Sequence, residues 1–166
     1  MTTDKTKILI VDDDMDIITV METILEKEGY TVITAGSKTE ALNLAKAEKP
    51  DLAILDVMMS THYEGFELAE AMHKDESLKN IPVLIQTSID VFVTNNPSVQ
   101  QMAREYRKDP QYKDLQVLLI KNVQRGNAGV DYRAEDGKSI WVDVNGFLRK
   151  PVDPSKLLPE VEKLLK

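Results

Sequence analysis

The chain has 166 residues, of which 42% are hydrophobic and 30% charged, and its formal net charge is −7. That length suits one domain with a self-sufficient core, and the composition excludes wholesale disorder. The acidic balance, with no Lys/Arg-rich run, argues against a nucleic-acid-binding surface, and the absence of cysteine excludes disulfides, thiolate catalysis and zinc–thiolate sites.

Residues 1–4 are polar and lead directly into the first apolar run. There is no signal peptide and no apolar stretch approaching about eighteen residues, so a soluble, cytoplasmic protein without membrane contact is expected. Residues 7–11 (KILIV) read as a strand that stops abruptly at Asp12-Asp13-Asp14. Ile17, Ile18, Met21, Ile24 and Leu25 then recur at helical spacing, and Gly29 closes that helix. Residues 30–35 (YTVITA) form the next strand, and Ser37-Lys38-Thr39-Glu40 is a capping box opening a second helix.

The third strand is the centre of the chain. After the turn signal Lys49-Pro50-Asp51, the run Leu52-Ala53-Ile54-Leu55 leads straight into Asp56, as expected of a strand buried on both faces in a parallel sheet. Chemistry in such sheets collects outside the carboxyl ends of the strands, so Asp56 reads as a nucleophile, a metal ligand or both. Residues 65–73 supply a third helix and residues 81–87 a fourth strand, with Pro82 near its start, where a missing N–H is tolerated. Far downstream, residues 146–151 (GFLRKP) read as a last strand, followed by a helix around Leu157, Leu158, Val161, Leu164 and Leu165, with Pro159 marking a kink or a late start. The alternation gives an α/β fold with a doubly wound, five-stranded parallel sheet and helices on both faces.

Between Thr87 and Lys150 the rhythm breaks: sixty-two residues intervene, where a crossover needs only about a dozen. Residues 97–107 read as a helix and 116–120 as an extra strand. Residues 130–133 and 139–142 flank an Asp136-Gly137 turn as a hairpin. The chain is therefore expected to be a single domain over residues 1–166 with an insertion at about 90–145. The insertion carries eight basic and eight acidic side chains, so the acidity belongs to the rest.

Four of the five parallel strands end at residues with chemistry to offer. Asp12 and Asp13 follow the first, Asp56 ends the third, Thr87 and Ser88 the fourth, and Lys150 lies at the end of the last. Three crowded carboxylates repel one another, and a hard divalent cation with oxygen ligands relieves that cost. Mg²⁺ suits a site with few carboxylates that is open to a phosphate. Lys150 as a point charge and the Thr87 hydroxyl as a donor would hold phosphoryl oxygens. Asp56 is then the natural nucleophile.

The motifs Ile8-Leu9-Ile10-Val11-Asp12-Asp13, Leu52-Ala53-Ile54-Leu55-Asp56-Val57-Met58-Met59, Gly65, Pro82-Val83-Leu84-Ile85-Gln86-Thr87-Ser88 and Gly146-Phe147-Leu148-Arg149-Lys150-Pro151 resemble those of the receiver domains of two-component response regulators, of the stand-alone, chemotaxis-regulator-like kind. The resemblance covers about two-thirds of the chain, in order. It implies a flavodoxin-like fold and phosphorylation of Asp56 by a sensor histidine kinase or phosphotransfer protein. It also implies Mg²⁺ held by Asp13, Asp56 and the Met58 carbonyl, with Asp12 acting through water, and a cis Lys150–Pro151 bond. Thr87 and Phe147 occupy the switch positions. Three departures stand out: Ser60 replaces the usual proline, the loop 61–64 is one residue longer before Gly65, and Phe147 replaces tyrosine, leaving no hydroxyl to present to a partner.

Plainer readings apply to several of these residues. Asp12 and Asp13 alone would be a solvated helix start; joined to Asp56, Thr87 and Lys150 they are better read as a metal site. Asp14 and Asp16 suit the first-turn dipole, and Thr87 and Ser88 alone would cap the next segment. Trp141, Phe147 and Tyr106 suit packing, and Met58, Met59 and Met72 suit gap-filling in a core. His62 and His73 read as solvated and make no metal site. Met58 and Ile89, two residues past Asp56 and Thr87, flank the path of the water that would hydrolyse an aspartyl phosphate; being apolar, they cannot orient it, which predicts slow dephosphorylation.

The expected function is a phosphoacceptor rather than an enzyme acting on other substrates, catalysing only its own phosphorylation and slow dephosphorylation. The chain ends with the last helix, leaving no room for a DNA-binding output domain, so output is expected through protein–protein contact. A pseudo-receiver that signals through its insertion is the alternative. A haloacid-dehalogenase-like phosphohydrolase fits less well, because it wants a second aspartate where Met58 stands. The insertion is expected to form a partner or self-association surface, including a homodimer. Replacing residues 96–144 by a short loop is expected to leave phosphorylation intact.

Overall fold

The computed structural model describes residues 6–57, 64–113, 115–122, 124–133 and 136–165. Within these, β1 (Lys7–Val11), α1 (Met15–Lys27), β2 (Thr31–Ala35), α2 (Lys38–Glu48), β3 (Leu52–Asp56), α3 (Glu64–Lys74) and β4 (Val83–Thr87) follow the order read from the sequence. The insertion then forms β5 (Val91–Thr94), α4 (Val99–Lys108), β6 (Val117–Asn122), β7 (Ala128–Arg133) and β8 (Ser139–Val144). β9 (Gly146–Arg149) and α5 (Pro154–Leu165) complete the fold.

Local chemistry sets the helix starts. The Asp14 carboxylate accepts from the Asp16 N–H (2.9 Å) at the head of α1. Ser37 Oγ accepts from the Glu40 N–H (3.3 Å), while Glu40 Oε1 reaches back to the Gly36 N–H (2.9 Å), so donors that would otherwise be orphaned are satisfied on both sides. Ser98 does the same for α4 through the Gln101 N–H (3.1 Å). α5 begins at Pro154, five residues before Pro159. That removes the late-start alternative for Pro159: proline is tolerated at the first helical position, and Pro159 sits inside the helix.

All neighbours in the five-stranded sheet are parallel, in the order β2-β1-β3-β4-β9. Side chains alternate across it. Ile8, Ile10, Leu52, Ile54, Leu84 and Leu148 pack with Ile18, Met21 and Leu25 of α1 and Leu157 and Val161 of α5. Leu9, Val11, Ala53, Leu55, Ile85 and Phe147 face the opposite way, towards α2, α3 and the insertion. Burial on both faces is why β1, β3 and β4 read as predominantly apolar runs.

The insertion is more than the expected helix, strand and hairpin. β5 is a further strand, parallel to β6, and the four strands form a second sheet in the order β5-β6-β7-β8. One face of this sheet (Val117, Leu119, Val130, Tyr132, Val142 and Val144) shares a buried cluster with Phe66, Met72, Ile85 and Phe147. The other face carries α4, whose Val99 and Ala103 meet Ile120. Arg107 of α4 pairs with Asp131 of β7 (3.1 Å) and also donates to the Leu115 carbonyl, fixing helix to sheet.

Candidate functional site

The ends of β1, β3, β4 and β9 converge at one rim. The registers Val11↔Leu55, Asp56↔Gln86 and Thr87↔Arg149 bring their last residues level. Asp12, Asp13 and Asp56 each present a carboxylate oxygen, and these oxygens all lie within 4.8 Å of one another. Asp12 and Asp56 are buried, while Asp13 is exposed.

Asp12 is held from two sides. Its N–H donates to the Ala35 carbonyl (3.1 Å), and its Oδ1 accepts from the Asp14 N–H (2.9 Å). Its Oδ2 is buried without a hydrogen-bond partner among the described residues. Burial raises its pKa to about 6; the Asp14 N–H and Lys150 oppose that rise, while Asp56 and Asp13 add to it. Asp56 is also raised, again chiefly by burial, with the Lys150 ammonium pulling the other way through hydrogen bond and charge.

Lys150 Nζ donates to Asp56 Oδ1 at 2.7 Å, a contact between residues 94 positions apart in the chain. Its own N–H donates to the Thr87 carbonyl (2.9 Å), so the β4–β9 ladder carries the lysine to the carboxylate, and the Lys150–Pro151 bond is cis. Thr87 is buried, and its Oγ1 accepts from the Ile89 N–H (2.9 Å). Ile89 is half-buried against the main cluster. Phe147, opposite Ile85 in the ladder, already lies in the layer beneath the second sheet.

Gly65 explains how α3 can begin directly behind Asp56. A Cβ there would stand 1.9 Å from the Asp56 carbonyl oxygen, and the Gly65 N–H donates to the Val57 carbonyl (3.0 Å). Only a residue without a side chain permits that approach. Met58, Met59, Ser60 and His62 lie outside the described residues, and with them the Met58 carbonyl and the longer loop. His73 lies on α3, in the last turn and away from the carboxylates.

The sequence reading passed over Gln86. It is buried beside Asp56, and its Oε1 has no partner among the described residues. One polar side chain in a strand otherwise apolar up to Thr87 was the available signal.

Chemically, the rim offers clustered carboxylates, one of them neutralised by a fixed ammonium, and a buried acceptor oxygen left free. That donor set of hard oxygens fits a small divalent cation. No helix among the described residues is long and apolar enough to cross a membrane.

Comparison with known proteins agrees with this geometry. The family described as response regulator receiver domain matches residues 8–114. Protein PilH of Pseudomonas aeruginosa is 32% identical over 120 residues, covering 72% of this chain and 98% of that protein. The alkaline phosphatase synthesis transcriptional regulatory protein PhoP of Bacillus subtilis is 42% identical over 84 residues, covering 51% of this chain and 34% of PhoP. The chain spans between 34% and 66% of the length of three of the curated relatives it matches. Among solved structures, the chemotaxis protein CheY4 of Vibrio cholerae superposes with a TM-score of 0.62 at 24% identity, over 97% of this chain and 99% of that one, which supports the fold. The family match ends at residue 114, before Lys150, but the sheet order and the Lys150–Asp56 contact complete the pattern, and the chain belongs to the response regulator receiver domain family.

Proposed function

We propose that Asp56 accepts a phosphoryl group from a sensor histidine kinase or phosphotransfer protein, in a Mg²⁺-dependent phosphorelay in the cytoplasm. In the transfer, an Asp56 carboxylate oxygen forms a bond to phosphorus as the bond from phosphorus to the donor's imidazole nitrogen breaks, and that nitrogen takes up a proton. The 2.7 Å contact between Lys150 and Asp56, inside a cluster of three carboxylates, is the observation that carries this reading. It opposes the upward pull of burial on the Asp56 carboxyl and leaves a cation in place to neutralise the phosphoryl oxygens.

Asp13 and Asp56, with the Met58 carbonyl, would hold Mg²⁺, and Asp12 would act through water. The unpartnered Asp12 Oδ2 fits that assignment. When bound, the cation offsets the charge that builds up between carboxylate and phosphoryl group. The Thr87 hydroxyl accepts from the Ile89 N–H and so keeps its own proton to donate to a phosphoryl oxygen. Thr87 and Phe147 would be the switch pair, with signal leaving by protein–protein contact. A stand-alone regulator is supported by the match to PilH, 98% of which is covered.

Labelling with a small phosphodonor tests this. Mass spectrometry should show a phosphoryl adduct that requires Mg²⁺ and is absent in Asp56→Asn. Lys150→Met should label far more slowly while still binding Mg²⁺. A chain that binds its partner but takes no label would instead be a pseudo-receiver, signalling through its insertion.

A further inference from the structure

Among the described residues, the second sheet ends in an edge strand, β8, with a groove on either side. β8 has β7 as its only neighbour among the described strands. The backbone direction along it follows from the other side of β7. The Arg133 N–H donates to the Gln116 carbonyl, and the Asn122 N–H donates to the Asn127 carbonyl, so the odd-numbered residues of β7 turn towards β6 and the even-numbered ones towards β8. Ile140, Val142 and Val144 therefore bond to β7, whereas the N–H and C=O groups of Ser139, Trp141 and Asp143 point away from the sheet. Within β8 there is no lysine, proline or glycine of the kind that guards natural edges.

Among the described residues, the space beside this edge is open. On the α4 side, a cavity of about 310 Å³ is lined by Arg104, Arg107, Ser139 and Trp141 among others. On the α3 side, one of about 390 Å³ runs along Glu70, His73, Lys74 and the strand from Ser139 to Val142. Trp141 is fixed between them: its ring lies on Gly129, where a Cβ would stand 2.1 Å away, and its Nε1–H donates to Asp143 Oδ1 (2.8 Å).

The residues along the edge are complementary to themselves. An antiparallel second copy centred on Trp141 sets Trp141 against its own counterpart, Ser139 against the second copy's Asp143, and Ile140 against the second copy's Val142. Every outward-facing backbone group then meets an outward-facing one, the hydroxyl meets a carboxylate twice, and apolar meets apolar on the α3 face. The second copy's Asp143, opposite Ser139, falls at the groove lined by Arg104, whose guanidinium has no ion-pair partner among the described residues. Glu70 and Lys74 bring one charge of each sign to the other groove, so two copies meet there without net repulsion. We propose that β8 pairs with β8 of a second copy of this chain, joining two four-stranded sheets into one across a twofold axis. This pairing does not depend on the phosphoryl site, which lies on the other sheet.

Sedimentation velocity across a concentration series should show a monomer–dimer equilibrium. Ser139→Pro removes one outward N–H at the first strand position without touching the β7 ladder. It should weaken the dimer by about tenfold or more, since the change acts twice across the axis, with thermal melting and Asp56 labelling unchanged. The chain has no native cysteine, so oxidising the Ser139→Cys/Asp143→Cys variant should give a covalent dimer, while Ser139→Cys alone should not cross-link. The cysteine variants decide the matter if the proline variant melts early. A wild-type chain monomeric at all concentrations overturns the proposal. So does a dimer unaffected by a folded Ser139→Pro, or a double-cysteine variant that stays uncross-linked.

Discussion

Asp12 is the residue at which burial and charge compete most openly. Its carboxyl is almost wholly enclosed beside two other carboxylates, and burial pushes its pKa from the ordinary 3.8 up to about 6. A pKa raised in the folded state means that the folded chain binds the proton more tightly than the unfolded one. That stabilisation is fully present below pH 3.8 and is lost as pH rises through about 6. At 1.36 kcal/mol per unit it amounts to at most about 3 kcal/mol. In chelator-treated protein, urea unfolding should therefore show stability increasing as pH falls from 7 towards 4, and Asp12→Asn should flatten that slope. A slope unchanged in the variant would assign the effect to other groups. Mg²⁺ at neutral pH should raise the melting temperature, since a cation bound only by the folded state stabilises it. Dephosphorylation belongs to the same scale. Neither the Met58 nor the Ile89 side chain can orient a hydrolytic water by hydrogen bonding, so Met58→Asn should shorten the life of the phosphorylated protein severalfold in a phosphate-release assay. An unchanged or slower decay would refute the assignment of those two positions.

Elements had to be legible for the site to be found at all. β1, β3 and β4 announce themselves because a strand buried on both faces has no polar alternation and each ends in a residue that chemistry can use. Pairing Asp56 with Lys150 rested on both closing parallel strands and on the receiver-domain motifs, since nothing local links residues 94 apart. β5 was missed for a physical reason: four residues, Val91 to Thr94, become a strand only by pairing with β6, a helix later in the chain. Long-range pairing of that kind leaves no mark on local periodicity. Packing of α3 on Asp56 was marked only by a single glycine. Gly65→Ala would drive a methyl group into the Asp56 carbonyl oxygen, so the helix start must shift. A loss of about 1–3 kcal/mol is expected, as for other overpacked sites, together with slower phosphorylation. Normal labelling in a destabilised variant would separate the packing role from the positioning of Asp56.

Across the whole molecule, the insertion completes the core that supports the site. The expectation that residues 96–144 could be replaced by a short loop treats them as an appendage, and the packing revises it. Val117, Leu119, Val130, Tyr132, Val142 and Val144 cover the same face of the parallel sheet that Phe66 and Phe147 occupy. Tyr132 stacks on Phe66 of α3 with ring centroids 5.4 Å apart. Removing the segment would expose Ile85 and Phe147 to water, an apolar area no short loop can cover. The deletion variant should therefore bind a hydrophobic dye and lose its cooperative melt, taking labelling of Asp56 with it. Because that experiment removes much at once, a single substitution gives the sharper test. Tyr132→Ala takes away one ring between the layers and should cost about 3 kcal/mol, as large aromatic truncations in cores do. For a domain of this size that lowers the melting temperature by roughly 6–12 °C. If the two sheets share one core, calorimetry on this variant will show one transition shifted as a whole. A second, lower transition split from an unshifted main one would mean that the insertion unfolds alone.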